Sequence, residues 1–339
     1  MDVVSVNKVP TYHISALDGA VLNDFQKAAL YRNPEHLPVA VSLLPAAWLR
    51  YGDELRDLCS QYPVIFPTVN PDAGKPDWEY APRYHAGKYT DPWGCVWENI
   101  HDGYDAMVTG HPLKNREDIN ALKPPTENMG YPHGFMFLRL TDLRGYEEMM
   151  IDFAEEPPEL QKLLDIVLAY NLTQAQPILD KTQPLDVVTF GDDLGTQKAL
   201  PISPVMWRKY LKPCFKAIYA PFRAADRIIY MHTDGCIHDI IPDLIECGVQ
   251  VLNPQIRANG LDNLVRTCKG KVCINLDLDR QMFPFASPKE VHNHIAECVR
   301  AMYMPEGGLM LIAECAADVP LDNIRAICDA LMEFREYKG

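Results

Sequence analysis

From residue 133 onward, short apolar runs alternate with amphipathic stretches. The runs are Gly134–Leu138, Leu185–Phe190, Arg227–His232, Val249–Asn253, Val272–Leu276 and Leu309–Ala313. Between and after them, helical periodicity covers Leu143–Phe153, Pro158–Leu179, Pro204–Ala224, Cys236–Cys247, Leu261–Cys268, Pro288–Tyr303 and Leu321–Glu336. Uninterrupted apolar runs spaced by helices mark parallel strands buried on both faces. Two earlier runs, Leu37–Leu44 and Val64–Val69 (interrupted by Pro67), bring the predicted strands to eight. Eight βα units in one chain of this length predict a (β/α)8 TIM barrel, an α/β fold in one domain spanning 1–339. The competing open, doubly wound sheet lacks a G-x-G-x-x-G fingerprint.

Residues 70–130 break this rhythm. They are rich in Pro, Gly, Trp and Tyr and show neither a helical nor a two-residue period. The stretch predicts an aromatic-rich insertion or lid near the N-terminus. Its rings Trp93, Trp97 and Tyr104, with Tyr84 and Tyr89, suit a wall for a flat substrate and equally a structural plug. His85, His101 and His111 carry no ligand spacing.

The 339 residues are 47% hydrophobic and carry a formal charge of −14, which argues against gripping nucleic acid or an anionic membrane. No apolar run approaches the roughly 18 residues of a membrane span, and the first residues do not read as a secretory signal, so a cytoplasmic location is expected. Ten scattered cysteines without a C-x-x-C pair predict buried thiols, with one or two as ligands, rather than a zinc ribbon.

The candidate chemistry lies where predicted strands end, which in a barrel is the active-site face. Asp192 and Asp193 follow the run ending at Phe190; Asn253, Gln255 and Arg257 close the next but one; Asn275, Asp277 and Asp279 close the one after; Glu314 and Cys315 follow the last. His232 and Asp234 stand two apart, so on an extended segment they face one side and can reach one ion. With Cys315, or Glu314 in its place, they suit zinc with a fourth position open. Each also has a plain structural role: His232 as a polar mouth residue, Asp234 as a helix cap, Cys315 as an inert thiol. One of Asp192 and Asp193 is expected to face the cavity as an acid or orienting carboxylate. Asp277 and Asp279, at strand spacing, suit orienting a substrate or the groups around a metal, Asn253 suits positioning substrate groups, and Arg257 suits clamping a substrate carboxylate or forming a salt bridge.

Four segments, IIYMHTDGCIHDIIPDLIECGVQVLNPQ (228–255), DPWGCVWEN (91–99), FGDDLGTQKALPISPVMWRKYLKP (190–213) and ADVPLDNIRAICDAL (317–331), resemble the uroporphyrinogen decarboxylase superfamily, and within it the corrinoid-dependent methyltransferases. The resemblance spans roughly residues 25–337 and implies the same barrel. The R-Q-A-G-R text of the tetrapyrrole decarboxylases is absent; residues 42–52 read SLLPAAWLRYG. The methyltransferase branch holds zinc through His-x-Cys and a later Cys. His232 matches the histidine, Asp234 stands where the first cysteine is usual, and Cys315 lies in the segment of the later one, with spacing shifted by a residue or two. An oxygen ligand leaves zinc a stronger Lewis acid, suited to an ether oxygen.

The resemblance therefore implies an enzyme that moves the methyl group of a methoxylated aromatic compound to the Co(I) centre of a separate corrinoid protein. Its zinc would be held by His232, Asp234 and Cys315, with Glu314 in reserve. The corrinoid protein would dock over the mouth, and an exposed barrel face leaves room for a homodimer. The alternatives are a metal-free decarboxylase or lyase of the same superfamily, or a non-catalytic corrinoid- or metal-binding protein.

Overall fold

The computed structural model describes residues 9, 10, 17, 20–69 and 81–339. Nine strands are present among them. Three form a small antiparallel sheet: β2 (Gly87–Thr90), β3 (Val96–Asn99) and β4 (Met107–Gly110). Six form a curled parallel sheet in the order β1 (Val39–Leu43), β9 (Leu309–Cys315), β8 (Cys273–Asp277), β7 (Val251–Pro254), β6 (Ile228–Thr233) and β5 (Val187–Gly191). Helices connect the strands, as in a TIM barrel. The register sets Gly191 beside His232 and His232 beside Asn253, aligning the polar strand ends in one row.

Two faces of this sheet are sorted by residue parity. Ile228, Val251, Cys273 and Met310 point inward and pack against Ala28, Ala29 and Leu30. Those three belong to the helix Asp24–Leu30, started by a reciprocal Asn23–Gln26 capping box, which closes the N-terminal end of the sheet. Ile229, Leu252, Ile274, Leu309 and Leu311 join the larger core against the outer helices. Continuing inward positions by twos leads to His232, Asn253, Asn275, Asp277 and Glu314, so the same alternation that fills the floor aims these groups into the mouth.

Two expected strands do not form. Tyr62–Val69 is a series of turns, where Pro67 has no N–H to give a ladder. Gly134–Leu138 passes directly into the helix Phe137–Arg144, after Gly134 at φ 79° breaks the extended path. The segment still lies along the β5 edge, through the Gly134 amide donating to the Gly191 carbonyl (2.7 Å). Helix ends also follow glycine: the expected Leu143–Phe153 helix is divided at Gly145 (φ 87°) into Phe137–Arg144 and Tyr146–Glu155.

The described part of the insertion is the β2–β4 sheet, and 70–80 lies outside the described residues. It sits beside the mouth. The Ala46 amide, at the start of the helix after β1, donates to the Gly103 carbonyl (3.1 Å), and a Cβ on Gly103 would fall 2.7 Å from the Ala46 backbone. Asp91 anchors the sheet by accepting from Trp97 Nε1 (3.1 Å) and Arg139 (2.7 Å). No helix among the described residues is long and apolar enough to cross a membrane.

Candidate active site

At the C-terminal end of the parallel sheet, His133, Asp193 and His232 offer ligand atoms within 4.8 Å of one another; this is the one such group of three among the described residues. His133 comes from the loop that replaces the expected third strand, Asp193 from just past β5, and His232 from β6. His133 Nε2 lies 3.1 Å from Asp193 Oδ2. The other oxygen of Asp193 accepts the Asp234 amide (2.9 Å), tying the loops after β5 and β6 together. Those loops touch at Gly195 and Gly235, where a Cβ on Gly235 would sit 2.1 Å from the Gly195 carbonyl oxygen.

The orientation of His232 is fixed from below. Its Nδ1 is 2.7 Å from Asn253 Oδ1, and Asn253 Nδ2 donates to the Asn275 carbonyl (2.6 Å). Since the amide nitrogen is spent on a carbonyl, Asn253 Oδ1 must accept, and Nδ1 carries the hydrogen. Nε2 is left facing the group, 3.3 Å from Asp234 Oδ1. Burial works against the imidazolium, but Asp234, Asn253 and Asp193 outweigh it and lift His232 to about 9. His133 is likewise depressed by burial and lifted further by Asp193, ending above its ordinary value. Burial raises Asp193, while His133, the Asp234 amide and His232 bring it below the ordinary carboxylate value. Without a metal, the three therefore form an ion-pair cluster. With one, they present two imidazole nitrogens and a carboxylate oxygen, a donor set that suits zinc.

The two adjacent carboxylates take separate tasks. Asp193 faces His133. Asp192 is fully buried on the opposite side and accepts from the amides of Met136 (3.2 Å), Phe137 (2.5 Å) and Leu138 (2.9 Å) at the start of the helix Phe137–Arg144. It is a structural clasp rather than an acid facing the cavity.

Other expected residues are placed differently. Cys315 is 0% exposed on the outer face of β9, where burial, then the neighbouring Cys328, raises its thiol well above the ordinary value. Odd and even positions of a strand face opposite ways, so Glu314 points to the mouth and Cys315 cannot. Asp234 and Glu314 are both bound by Arg280: its Nη2 donates to Asp234 Oδ2 (2.6 Å) and its Nη1 to Glu314. Asn253 spends its amide on His232 and the backbone, so it positions the imidazole instead of a ring substituent. Arg257 is paired with Asp279 (2.8 Å), not free for a carboxylate.

Trp93 is 5% exposed and packs edge-on against Tyr170 (4.9 Å) beneath Arg139, so it anchors the insertion and lines no substrate wall. Trp97 stacks on Tyr89, and Tyr104 is exposed beside His101. Tyr84 lies under the Arg83 guanidinium, and burial raises its phenol against the pull of that charge.

Asp277 faces the interior, is 4% exposed, and its Oδ1 has no hydrogen-bond partner. Burial pushes it up to about 7, against the pull of Arg280. The unfolded chain releases this proton near 3.8, whereas the folded protein holds it to about 7. Stability from this group therefore falls as pH rises between those values, by up to about 4 kcal/mol. Asp277→Asn should flatten that fall, measured as urea midpoints from pH 4 to 7; an unchanged slope would refute it.

His133 and Arg280 were not among the expected site residues. His133 precedes its apolar run, where a rule based on strand ends does not look, and Arg280 stands one residue past Asp279 in a turn. The polar cluster at the strand ends was the only signal for either.

The profile of the uroporphyrinogen decarboxylase (URO-D) family matches residues 137–334, more than half of the chain. No curated protein matches. Among solved structures, a methyltransferase from Methanosarcina mazei is similar with a TM-score of 0.54 and 17% identity, over 72% of this chain and 76% of that one. A B12-independent methionine synthase from Shewanella sp. W3-18-1 aligns with a TM-score of 0.41 and 10% identity, over 74% of each chain. At such identity the first similarity speaks for a shared fold.

Proposed function

The chain belongs to the uroporphyrinogen decarboxylase family, and from that premise we propose that it is a zinc-assisted methyltransferase, which moves the methyl group of a methoxylated aromatic compound to the Co(I) centre of a separate corrinoid protein. The observation that carries the proposal is the convergence of His133, Asp193 and His232 at the open end of the sheet. Family membership makes the chain an enzyme; this donor set is what favours a metal-assisted reaction over a metal-free decarboxylation.

His133, Asp193 and His232 would hold the zinc, which when bound supplies Lewis-acid polarisation of the ether oxygen. The protein's own residues do the rest. Asn253 locks the His232 tautomer so that Nε2 faces the metal position. Asp193 joins His133 to the loop after β6, so a shift in either loop is felt by both. A cavity of about 640 Å³, bordered by Arg280, Glu314, Arg257 and Phe285, has room for a substituted ring, and Arg280 links it to the group through Asp234. In the transfer the methyl–oxygen bond breaks, the methyl group goes to the acceptor, and the phenolate oxygen keeps the electron pair. The acceptor is too large to enter the sheet, so the corrinoid protein must dock over the mouth, where Phe285 is exposed.

The test is incubation of the full chain with zinc, a reduced corrinoid protein and a set of methoxyphenols. The expected result is demethylated phenol together with one zinc per chain, both lost on chelation. Carbon dioxide release from a carboxylated substrate by metal-stripped protein would replace this function with decarboxylation. Zinc or corrinoid retained without any phenol formed would leave a binding protein.

A further inference from the structure

Three carboxylates, from the ends of β6, β8 and β9, surround one guanidinium. Arg280, from the turn after β8, reaches Asp234 Oδ2 at 2.6 Å and Asp277 Oδ2 at 3.9 Å, and also binds Glu314. It is about one-quarter exposed, and no other Lys or Arg pairs with these three groups among the described residues. One guanidinium is shared by three carboxyl groups; His232 lies beside Asp234 alone, and burial holds Asp277 toward its protonated form.

A second, independent feature marks the same place as acceptor-rich. Two buried oxygens on β8, Asp277 Oδ1 and Asn275 Oδ1, have no hydrogen-bond partner, and their residues are 4% and 7% exposed. Asn275 donates through Nδ2 to the Tyr230 hydroxyl (3.0 Å), which leaves Oδ1 as its unpaired atom in this orientation. Both residues lie at inward positions of the strand. Unpaired buried acceptors beside an excess of carboxylates describe a cavity wall that attracts cations.

The geometry points to Arg280 as a resident cation: its guanidinium fills a second cation site built by Asp234, Asp277 and Glu314, and so confines divalent metal to the His133–Asp193–His232 group. Glu314 and one oxygen of Asp234 are thereby withheld from zinc by a side chain that the protein supplies itself, while Asp234 Oδ1 stays beside His232 Nε2 (3.3 Å). The guanidinium also gives the mouth a fixed positive charge next to the ion without a second open coordination sphere. Removing that charge should uncover a site for one more divalent ion, since three acids without a counterion must either bind a cation or take up protons.

The test is titration of the full chain with Zn2+ and with Co2+, counting bound equivalents by elemental analysis and following the cobalt absorption bands. Arg280→Met should bind one equivalent more than wild type, and Arg280→Lys, which keeps the charge, should stay at the wild-type count. Glu314→Gln in the otherwise wild-type chain should leave the count unchanged, and combined with Arg280→Met it should abolish the added equivalent. No gain in Arg280→Met overturns the inference, as does loss of the wild-type ion in Glu314→Gln. Should Arg280→Met not fold, Arg280→Gln, which also removes the charge, is read in the same way. Because the readout is a difference from wild type, it stands whether or not methyl transfer is the activity.

Discussion

Asp193→Asn is expected to lower kcat/KM for methyl transfer by about 10³ while leaving the fold intact. The amide has the shape of the carboxylate, so its oxygen can still accept the Asp234 amide that now lies at 2.9 Å. What disappears is the charge opposite His133, 3.1 Å away, and the one anionic donor of the three-residue group. Two neutral imidazoles and an amide bind zinc far less well than two imidazoles and a carboxylate, because only the carboxylate offsets the ion's charge. Zinc retention through dialysis should therefore fall along with turnover. The two readouts separate the explanations: turnover lost with zinc kept would make Asp193 an orienting group, and both kept would remove it from the site. An unchanged thermal midpoint checks that packing is not the cause.

The expectation extends to the neighbouring histidines, but unequally. His232 is held by Asn253 beneath it and by strand β6 on either side, so its position belongs to the sheet. His133 belongs to a loop, and its place depends on Asp193 on one side and on the β5 edge on the other.

That difference also explains what the chain disclosed in advance. Leu185–Phe190, Arg227–His232, Val249–Asn253, Val272–Leu276 and Leu309–Ala313 appear as β5 to β9 with ends moved by only one or two residues. Strands covered on both faces must be apolar throughout, and these five runs are. The same property hid the facing of their ends. In Leu309–Cys315 both faces are buried, so apolar character does not say whether Glu314 or Cys315 looks inward. Packing against the helix Leu321–Arg335, which carries Cys328, settles it, and that contact is not local in sequence.

Gly134–Leu138 failed for the opposite reason. Its apolar side chains are buried as predicted, but in the first turns of a helix whose start is set by a carboxylate more than fifty residues later. Local pattern cannot see Asp192. Trp93 was likewise legible as a large buried ring, yet its partner Tyr170 lies on a distant helix, and only that contact distinguishes an anchor from a substrate wall.

Asp192→Ala is expected to cost about 3–5 kcal/mol, the largest stability loss of any single change at the mouth. The side chain is fully buried, and three backbone amides, from Met136, Phe137 and Leu138, converge on it. These are amides of a helix start, which have no partner within the helix itself. Alanine would leave them facing a cavity with no acceptor. Burial raises the Asp192 carboxyl to about 7, because the Leu138 and Phe137 amides offset only part of its desolvation. The loss has a specific place to appear. No ladder joins residues 134–138 to β5; the Gly134–Gly191 bond and the Asp192 clasp hold the segment there. Releasing the clasp should free the segment next to His133, so zinc affinity should fall with stability even though the Asp192 carboxylate is not in the ligand group. Asp192→Asn should lie between, since one amide oxygen can accept from two of the three donors while its NH2 opposes the rest. Urea denaturation and zinc titration of both variants check the order. Wild-type zinc affinity in a destabilised Asp192→Ala protein would show that His133 is held by Asp193 alone.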